Sequence, residues 1–207
     1  LKAAIDEAQT VYEDEHAAVT DILASTQRLT EATQIYQYKN ASPEHPLTMT
    51  LRIVNPNFED GTTGWENDGM LTQTNTSFPG KSGTTYLERW VNIGSKVPDV
   101  GIRQTLEGIP DGKYRLRAAV GNIQQNGANS TVNAGEKQTG VTLYAGIYDM
   151  PVDTMKAHKD LYFTVVDGQV TIGFKAENAT GNWICLDNIR LYYLGGNTSE
   201  DYAAYLS

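Results

Sequence analysis

The fold class is decided by the stretch Pro110-Asp111-Gly112-Lys113-Tyr114-Arg115-Leu116-Arg117-Ala118-Ala119-Val120. After a turn signal, basic and apolar side chains alternate, which places one set of apolar residues on a single face: Tyr114, Leu116, Ala118 and Val120. A period of two predicts a half-buried β-strand, because successive side chains of an extended chain point to opposite faces. The same alternation occurs on both sides of this stretch, at Val100, Ile102 and Leu106 and again at Val141, Leu143, Ala145 and Ile147.

Further short segments with this period complete the pattern. Met49, Leu51 and Ile53 predict a first strand, and residues 184–194 predict a last one. A hairpin is predicted over residues 161–174, with its turn at Asp167-Gly168. Six or more short strands, with Gly and Asp turns and no helices between them, indicate a mainly β fold. We expect an antiparallel β-sandwich or jelly roll.

The first part of the chain has a different composition. None of the nineteen glycines precedes Gly61, and residues 1–46 hold eight acidic but only three basic residues. Apolar residues recur there at spacings of three and four, which predicts two packed helices. Two prolines then favour extended backbone. We therefore expect a helical hairpin over 1–42, a linker over 43–47, the sandwich over 48–195, and a linker or the start of another element over 196–207.

Charge and composition exclude several classes of protein. The net charge is −9, the isoelectric point is about 4.8, and no basic stripe is present, so we expect no nucleic-acid partner. No apolar run approaches the roughly 18 residues of a membrane span, so no membrane insertion is expected. The chain starts at Leu1 rather than Met, and we expect it to belong to a longer polypeptide with other modules. The single cysteine, Cys185, allows no internal disulfide and predicts a buried thiol.

Motifs for catalysis are nearly absent. The three histidines are far apart in sequence, and no serine lies in a Gly-x-Ser-x-Gly turn. A glycosidase would need two carboxyl groups that converge in space, and Glu88, Asp99 and Asp149 are the candidates for such a pair. We expect no enzymatic activity in this chain, although its parent protein could be a glycoside hydrolase or a related enzyme.

Two motifs carry a resemblance to a known family. One is Asn55-Pro56-Asn57-Phe58-Glu59, followed by Gly64-Trp65, and the other is Asp187-Asn188-Ile189-Arg190-Leu191. Over residues 48–194 the chain thereby resembles secreted carbohydrate-binding modules with a galactose-binding-like jelly-roll fold. The helical segment is similar to the FIVAR-type repeats of large secreted or surface proteins that gut bacteria use on glycans. The resemblance implies a secreted or cell-surface protein.

The resemblance also implies a structural calcium ion where the first and last strands meet. The matching positions are Glu59 and Asp187. Carboxylates and backbone carbonyls are the hard oxygen ligands that calcium prefers. The alternative is that both carboxylates only accept hydrogen bonds from loop amides.

Aromatic and amide side chains suggest where a sugar could bind. Period two places Tyr86, Glu88 and Trp90 on one side of their segment, and it places Tyr144 and Tyr148 opposite the apolar face of theirs. Asn122 and Gln124 add amides in the loop that follows the central strand. Sugars need an aromatic platform beside planar hydrogen-bonding groups. The alternative for Trp90 and Tyr86 is packing under the loop of residues 77–83.

The sequence thus favours non-catalytic binding of a glycan by an accessory module of a carbohydrate-active protein. Such a module would hold an attached enzyme near polysaccharide. A second interpretation is a structural spacer or protein-interaction module without a sugar site. Exposed aromatic residues near amides would favour binding, whereas aromatic residues that all face the core would favour the spacer.

Overall fold

The computed structural model describes residues 1–128, 130–135, 137–199, 201 and 205. In this part of the chain two helices, α1 (Lys2–Glu13) and α2 (Val19–Asn40), precede eleven strands. The strands are β1 (Leu47–Thr48), β2 (Glu66–Asp68), β3 (Leu71–Gln73), β4 (Tyr86–Trp90), β5 (Val100–Glu107), β6 (Gly112–Ile123), β7 (Val141–Ala145), β8 (Tyr148–Pro151), β9 (Lys156–Val165), β10 (Gln169–Ala176) and β11 (Trp183–Tyr193).

The strands form two antiparallel sheets. Sheet A has the order β3-β4-β11-β6-β9, with β1 also paired to β11, and sheet B has the order β2-β5-β10-β7-β8. The two sheets pack face to face as a sandwich. This confirms the prediction of a mainly β, antiparallel sandwich that follows a pair of helices.

The core lies between the sheets. The alternating face of β6 is buried as predicted, since Tyr114, Leu116, Ala118 and Val120 are at most 1% exposed. Opposite it, sheet B contributes its own inward-facing residues: Ile102, Leu106, Leu143, Ala145, Ile172 and Phe174. Burial of apolar surface from water is the main force that holds the two sheets together.

A second, smaller apolar cluster lies on the outer side of sheet A, beneath the loop of residues 74–85. It contains Phe78, Tyr86, Ala119, Ile123, Trp183 and Cys185. Cys185 is fully buried, as the sequence predicts, and burial raises the pKa of its thiol well above the usual value. Sheet A is therefore covered on part of both faces.

The first predicted strand is wrong. Only Leu47–Thr48 is extended, and Thr50–Arg52 forms a single 3₁₀ turn. Met49 and Ile53 are buried while Leu51 is fully exposed. Residues four apart lie on one side of a helical turn, so an apolar alternation of three residues does not distinguish a turn from a strand.

The predicted hairpin over residues 161–174 is also wrong in its pairing. Both strands form, but β9 pairs with β6 in sheet A and β10 pairs with β5 and β7 in sheet B. The turn at Asp167-Gly168 therefore passes from one sheet to the other. The Gly168 N–H donates to Asp111 and the Gly168 carbonyl accepts from Ile109, which fixes the turn against the β5–β6 connection instead.

The prediction that Tyr144 and Tyr148 share a face is contradicted. The strand stops at Ala145, and Gly146 turns the chain with a φ of +57°. Tyr148 begins β8 opposite Ala145, whose side chain faces the core, and it packs against the core. Tyr144 is on the outer face of sheet B. The left-handed backbone at Gly146 breaks the alternation that the sequence pattern extended through Ile147.

The helices pack on each other, and α2 also reaches the sandwich. Arg28 of α2 pairs with Glu7 of α1. At the end of α2, the Tyr38 ring meets Tyr193 of β11 edge to face, with 5.5 Å between ring centroids. No helix in the described ranges is both long and apolar enough to cross a bilayer.

We predict that Gln104 is a polar residue on which the sandwich depends. It is 7% exposed within the inner face of β5, and its amide bonds both backbone groups of Val54 and the carbonyl of Gly64. Gln104→Leu removes the partner of the Val54 N–H and of the Gly64 carbonyl, whereas the Val54 carbonyl still accepts from Trp65 Nε1 at 2.8 Å. We therefore expect a loss of about 3 kcal/mol in the free energy of unfolding. Urea unfolding followed by circular dichroism measures this change.

The matched control is the adjacent outward-facing Thr105→Val, which removes only an exposed hydroxyl contact with Thr171. Its effect should stay within about 0.5 kcal/mol. Equal stabilities of the two variants would contradict the role given to Gln104.

Candidate functional site

A cleft opens on the outer side of sheet A, beside the end of β4. We call it the Trp90 cleft, and its volume is about 510 Å³. Its lining comes from β3, β4, β11 and the adjoining loops: Gln73, Asn75, Ser77, Glu88, Trp90, Asn92, Ile93, Gln125, Ala128 and Trp183. The outer face of β4 thus supplies Glu88 and Trp90 two residues apart, as the period of two predicts.

Two tryptophans lie side by side in this cleft. Trp183 of β11 is paired directly with Trp90 of β4. Trp183 is 1% exposed, whereas Trp90 is 48% exposed. An exposed indole that rests beside a buried one offers a flat apolar surface at the mouth of the cleft.

The orientation of Trp90 is fixed by a buried amide. Its indole N–H donates to Gln125 Oε1 at 2.7 Å, and the same oxygen accepts from Asn182 at 3.0 Å. The Gln125 amide in turn donates to the Ser130 carbonyl. Gln125 is 4% exposed, so its side chain has little freedom. The indole is therefore held in place before any ligand arrives.

Glu88 lies deeper in the cleft, with three hydrogen-bond donors around its carboxylate. Trp183 Nε1 donates to Oε2 at 2.8 Å, the Tyr86 hydroxyl donates to the same oxygen at 3.1 Å, and Gln73 Nε2 donates to Oε1 at 3.1 Å. All three donors are uncharged. Glu88 remains partly exposed, so its carboxylate is both positioned and accessible.

Tyr86 supports the cleft from below. It is fully buried, packs on Phe78 with 5.3 Å between ring centroids, and lies under the loop as the alternative interpretation anticipated. Burial, aided by the adjacent Glu88, raises the pKa of Tyr86 far above its usual value. Its hydroxyl oxygen is also 2.9 Å from Asn75 Oδ1, so its single proton is shared between Asn75 and Glu88. Tyr86 therefore orients Glu88 and Asn75 and presents no surface to a ligand.

The two predicted loop amides lie outside the cleft. Asn122 is fully buried and donates to the carbonyl of Val152 at 2.8 Å, so the expectation that it binds a ligand is contradicted by its position. Gln124 bonds Gly94, Ser95 and Thr180, which braces the loop after β4. The amide that reaches the cleft is Gln125. The sequence already indicated that Asn122 faces inward, because Asn122 is in phase with the inward residues of β6.

The predicted tyrosines of the other sheet are remote from the cleft. Tyr144 lies on the outer face of sheet B, where the Lys175 ammonium is 5.9 Å from its ring centroid. Tyr148 is turned toward the core, as described above. Neither residue lines the Trp90 cleft, so the sequence prediction joined residues from two separate surfaces.

The predicted metal residues do come together. Glu59 Oε1 accepts from the amides of Thr84 and Thr85 at 2.8 and 3.1 Å, and Asp187 Oδ2 accepts from the amide of Ser82 at 2.6 Å. Both carboxylates therefore hold the end of the loop of residues 74–85. The hydrogen bonds of the loop-amide alternative are present.

Asp187 has an unusual environment. It is fully buried, and its Oδ1 has no hydrogen-bond partner within the described part of the chain. Burial chiefly, and also the nearby Glu59, raises the pKa of Asp187 to about 7. The described residues contain no group of three or more His, Cys, Asp or Glu side chains that could hold a metal. A cation here would need the two carboxylates and backbone carbonyls, and the unpartnered Oδ1 fits such a ligand.

The fold is a β-sandwich of the kind found in carbohydrate-binding modules. The module TmCBM61, solved in complex with β-1,4-galactotriose, is 18% identical, has a TM-score of 0.50, and covers 67% of this chain and 95% of its own. A family 22 carbohydrate-binding module of Clostridium thermocellum Xyn10B is 14% identical with a TM-score of 0.43, and covers 70% of this chain and 94% of its own.

The same sandwich also occurs in an enzyme. A cyclase from Fischerella sp. TAU is 16% identical, has a TM-score of 0.52, and covers 74% of this chain and 100% of its own. No family model matches the sequence, and no curated protein matches it either. At these identities the likeness establishes the fold, and any function must be argued from the cleft.

We predict a pH dependence of stability that comes from Asp187. A carboxyl pKa raised from about 3.9 in the unfolded chain to about 7 in the folded one means that the folded state binds the proton more tightly. The stabilisation that this proton gives to the folded state is complete below about pH 4 and is lost as the pH rises to about 7. In buffer with a chelator, the free energy of unfolding should therefore fall across this range, and Asp187→Asn should flatten the fall.

Urea unfolding at a series of pH values measures the effect. Asp99→Asn is the control, since Asp99 accepts one hydrogen bond from the exposed amide of Asn178. Asp99→Asn should keep the wild-type slope. Equal slopes in wild type and Asp187→Asn would contradict the environment described for Asp187.

Proposed function

We propose that this chain is a non-catalytic glycan-binding module of a larger secreted or cell-surface carbohydrate-active protein. The observation that carries the proposal is Trp90, which is half exposed, fixed by Gln125, and placed beside the Glu88 carboxylate. A sugar ring presents a flat C–H face, which can stack on the indole, and a rim of hydroxyls, which can donate to the carboxylate. The module TmCBM61, which has this fold, was solved with a galactotriose, and this supports the assignment.

The cleft residues divide between stacking and hydrogen bonding. The Trp90 indole provides the platform for a sugar face, and Ile93, which is 45% exposed, extends the apolar surface at the rim. Glu88 accepts from sugar hydroxyls. Asn75 and Asn92 line the same cleft and bring amides within the same space. The arrangement is largely fixed in advance, which lowers the entropy cost of binding.

The arrangement of carboxyl groups favours binding over hydrolysis. Among the described residues that line the cleft, Glu88 is the one carboxylic acid. Asp149 belongs to β8 and Asp99 directly precedes β5, and both of these strands are in sheet B. Neither residue lines the Trp90 cleft with Glu88. Glycoside hydrolysis commonly requires two carboxyl groups that flank the scissile bond. A module of this kind instead acts by raising the local concentration of polysaccharide around an attached enzyme.

We predict that Trp90→Ala abolishes most of the binding. The wild-type protein should be retarded in native gels that contain its polysaccharide, within a panel of plant and mucin polysaccharides. Loss of a central aromatic contact costs about 2 kcal/mol, so the variant should bind about 30-fold more weakly. Affinity gel electrophoresis followed by isothermal titration measures both effects.

The control is Tyr162→Ala, because Tyr162 is 58% exposed on β9 at the far edge of sheet A. This variant should bind like the wild type. Wild-type protein that is retarded by no polysaccharide, with Trp90→Ala unchanged in every assay, would favour the structural spacer.

We further propose that Glu59 and Asp187 hold a structural calcium ion together with backbone carbonyls of the neighbouring loop. The buried Oδ1 of Asp187 without a partner and the proximity of a second carboxylate support this assignment. The ion would offset the repulsion between the two carboxylates and fasten the loop of residues 74–85. Calcium commonly takes six to eight oxygen ligands, so carbonyls and water would complete the shell.

We predict that calcium raises the melting temperature. At about 100 times its Kd, a bound ion adds about 2.7 kcal/mol, which is about 5 °C or more for a chain of this size. Glu59→Gln keeps an oxygen for the Thr84 and Thr85 amides but loses the charge. It should therefore melt like the wild type in chelator and gain little from calcium.

Differential scanning calorimetry in calcium and in chelator distinguishes the two interpretations of this pair. A wild-type melting temperature that is the same in both buffers would remove the calcium proposal. The loop-amide alternative would then account for both carboxylates.

A further inference from the structure

The charge of the Trp90 cleft is unbalanced. Glu88 carries a carboxylate, and no Lys or Arg occurs among the described residues that line the cleft. Its three hydrogen-bond donors, the side chains of Gln73, Tyr86 and Trp183, are all neutral. A group bound beside Glu88 therefore meets a negative charge that no neighbouring cation in this lining offsets.

The one basic residue in the loop of residues 74–85, Lys81, is engaged with the loop itself. The Lys81 ammonium donates hydrogen bonds to the carbonyls of Thr74 and Thr84, at 2.9 and 3.1 Å. Lysines and arginines of sheet B are also engaged, since Arg103 pairs with Glu66 and Lys175 pairs with Glu177. The chain as a whole has a net charge of −9, so its long-range field has the same sign as the cleft.

The hydrogen-bonding capacity of Glu88 indicates what it can still accept. An ionised carboxylate offers about four lone-pair sites and has no proton to donate. Trp183 Nε1 and Gln73 Nε2 take two of these sites, and the Tyr86 hydroxyl, whose single proton is shared with Asn75 Oδ1, takes part of a third, which leaves at least one for a ligand. A sugar hydroxyl or an acetamido N–H can fill it, whereas the carboxylate or sulfate of an acidic sugar cannot donate and is repelled.

We propose that the Trp90 cleft selects glycans whose bound units are uncharged, and that Glu88 rejects uronic, sialylated and sulfated units. The inference rests on the proposed function, because it presupposes that the cleft binds glycan. It names Glu88 as the residue that determines this specificity. The free acceptor site of Glu88 attracts a ligand that can donate a hydrogen bond. The negative charge of Glu88, which no cation of the lining offsets, repels an anionic ligand.

The test uses pairs of polysaccharides that differ in charge on a shared backbone. Suitable pairs are methyl-esterified and unesterified polygalacturonan, hydroxyethyl- and carboxymethyl-cellulose, and desialylated and sialylated mucin. Affinity gel electrophoresis at low salt gives the ratio of affinities within each pair. We expect any binding to favour the neutral member by at least tenfold, and the ratio to shrink as salt screens the charge.

Glu88→Gln tests the residue itself. The amide keeps an oxygen for Trp183 Nε1 and removes the charge, so the ratio of neutral to anionic affinity should fall by about tenfold. Glu107→Gln is the matched control, because it makes the same chemical change at an exposed position on β5 of sheet B. Glu107→Gln should leave the ratio unchanged. If Glu88→Gln does not fold, the salt dependence of the wild-type ratio still tests the role of charge.

The outcomes separate this inference from the function on which it rests. Wild-type protein that binds the anionic member of a pair as tightly as the neutral member overturns the inference and leaves glycan binding in place. An equal change in ratio for Glu88→Gln and Glu107→Gln also overturns it. Protein that binds no member of any pair, and no other polysaccharide of the panel, overturns the proposed function and this inference with it.

Discussion

A β-bulge in the central strand of sheet A is the constraint on which the rest of the structure depends. Strand β11 pairs with β1, β4 and β6, and its register against β6 shifts between Asp187 and Arg190. Asn188 takes a left-handed conformation there, with a φ of +53°. Before the bulge, the odd-numbered residues Trp183 and Cys185 face outward. After it, the odd-numbered residues Ile189 and Leu191 face the core. One strand thereby serves both the sandwich core and the outer cluster.

The bulge also explains why a carboxylate is buried at its edge. Asp187 is the last residue of the outward set that begins with Trp183, so the loop of residues 74–85 covers it. In a regular strand, residues four apart such as Asp187 and Leu191 would point to the same side, and one of them would be misplaced. Residues of the Asp-Asn-apolar-x-Leu motif therefore have distinct physical roles, in which Asn188 permits the bulge and Asp187 anchors the loop.

The sequence predicted those features that depend on a period of two over a long strand. Tyr114 to Val120 and Glu88 to Trp90 face the sides that alternation assigns to them. The pattern failed where three residues fit two geometries, as at Leu51, and where a single left-handed residue broke the phase, as at Gly146. It also could not choose a sheet for each strand, since β9 and β10 are adjacent in sequence yet lie in different sheets.

The cleft was less predictable than the fold for a different reason. Trp90 and Glu88 follow from alternation, but the groups that orient them come from distant segments. Gln125 follows β6, and Trp183 begins β11. A hydrogen bond between such residues depends on side-chain geometry after folding, and no local sequence pattern encodes it. The amide prediction selected Asn122 and Gln124 from the correct segment, yet the neighbouring Gln125 is the one whose position reaches the indole.

One loop connects the Trp90 cleft with the carboxylates of Glu59 and Asp187. The loop of residues 74–85 is held at its start by Gln73, whose amide oxygen accepts from Thr74 and Asn75 and whose nitrogen donates to Glu88. It is held at its end by Glu59 and Asp187. Asn75 and Ser77, which line the cleft, lie between these anchors. The wall of the cleft is thus fixed at one end by the Gln73 amide, which links the loop to Glu88, and at the other end by two carboxylates that accept backbone N–H groups.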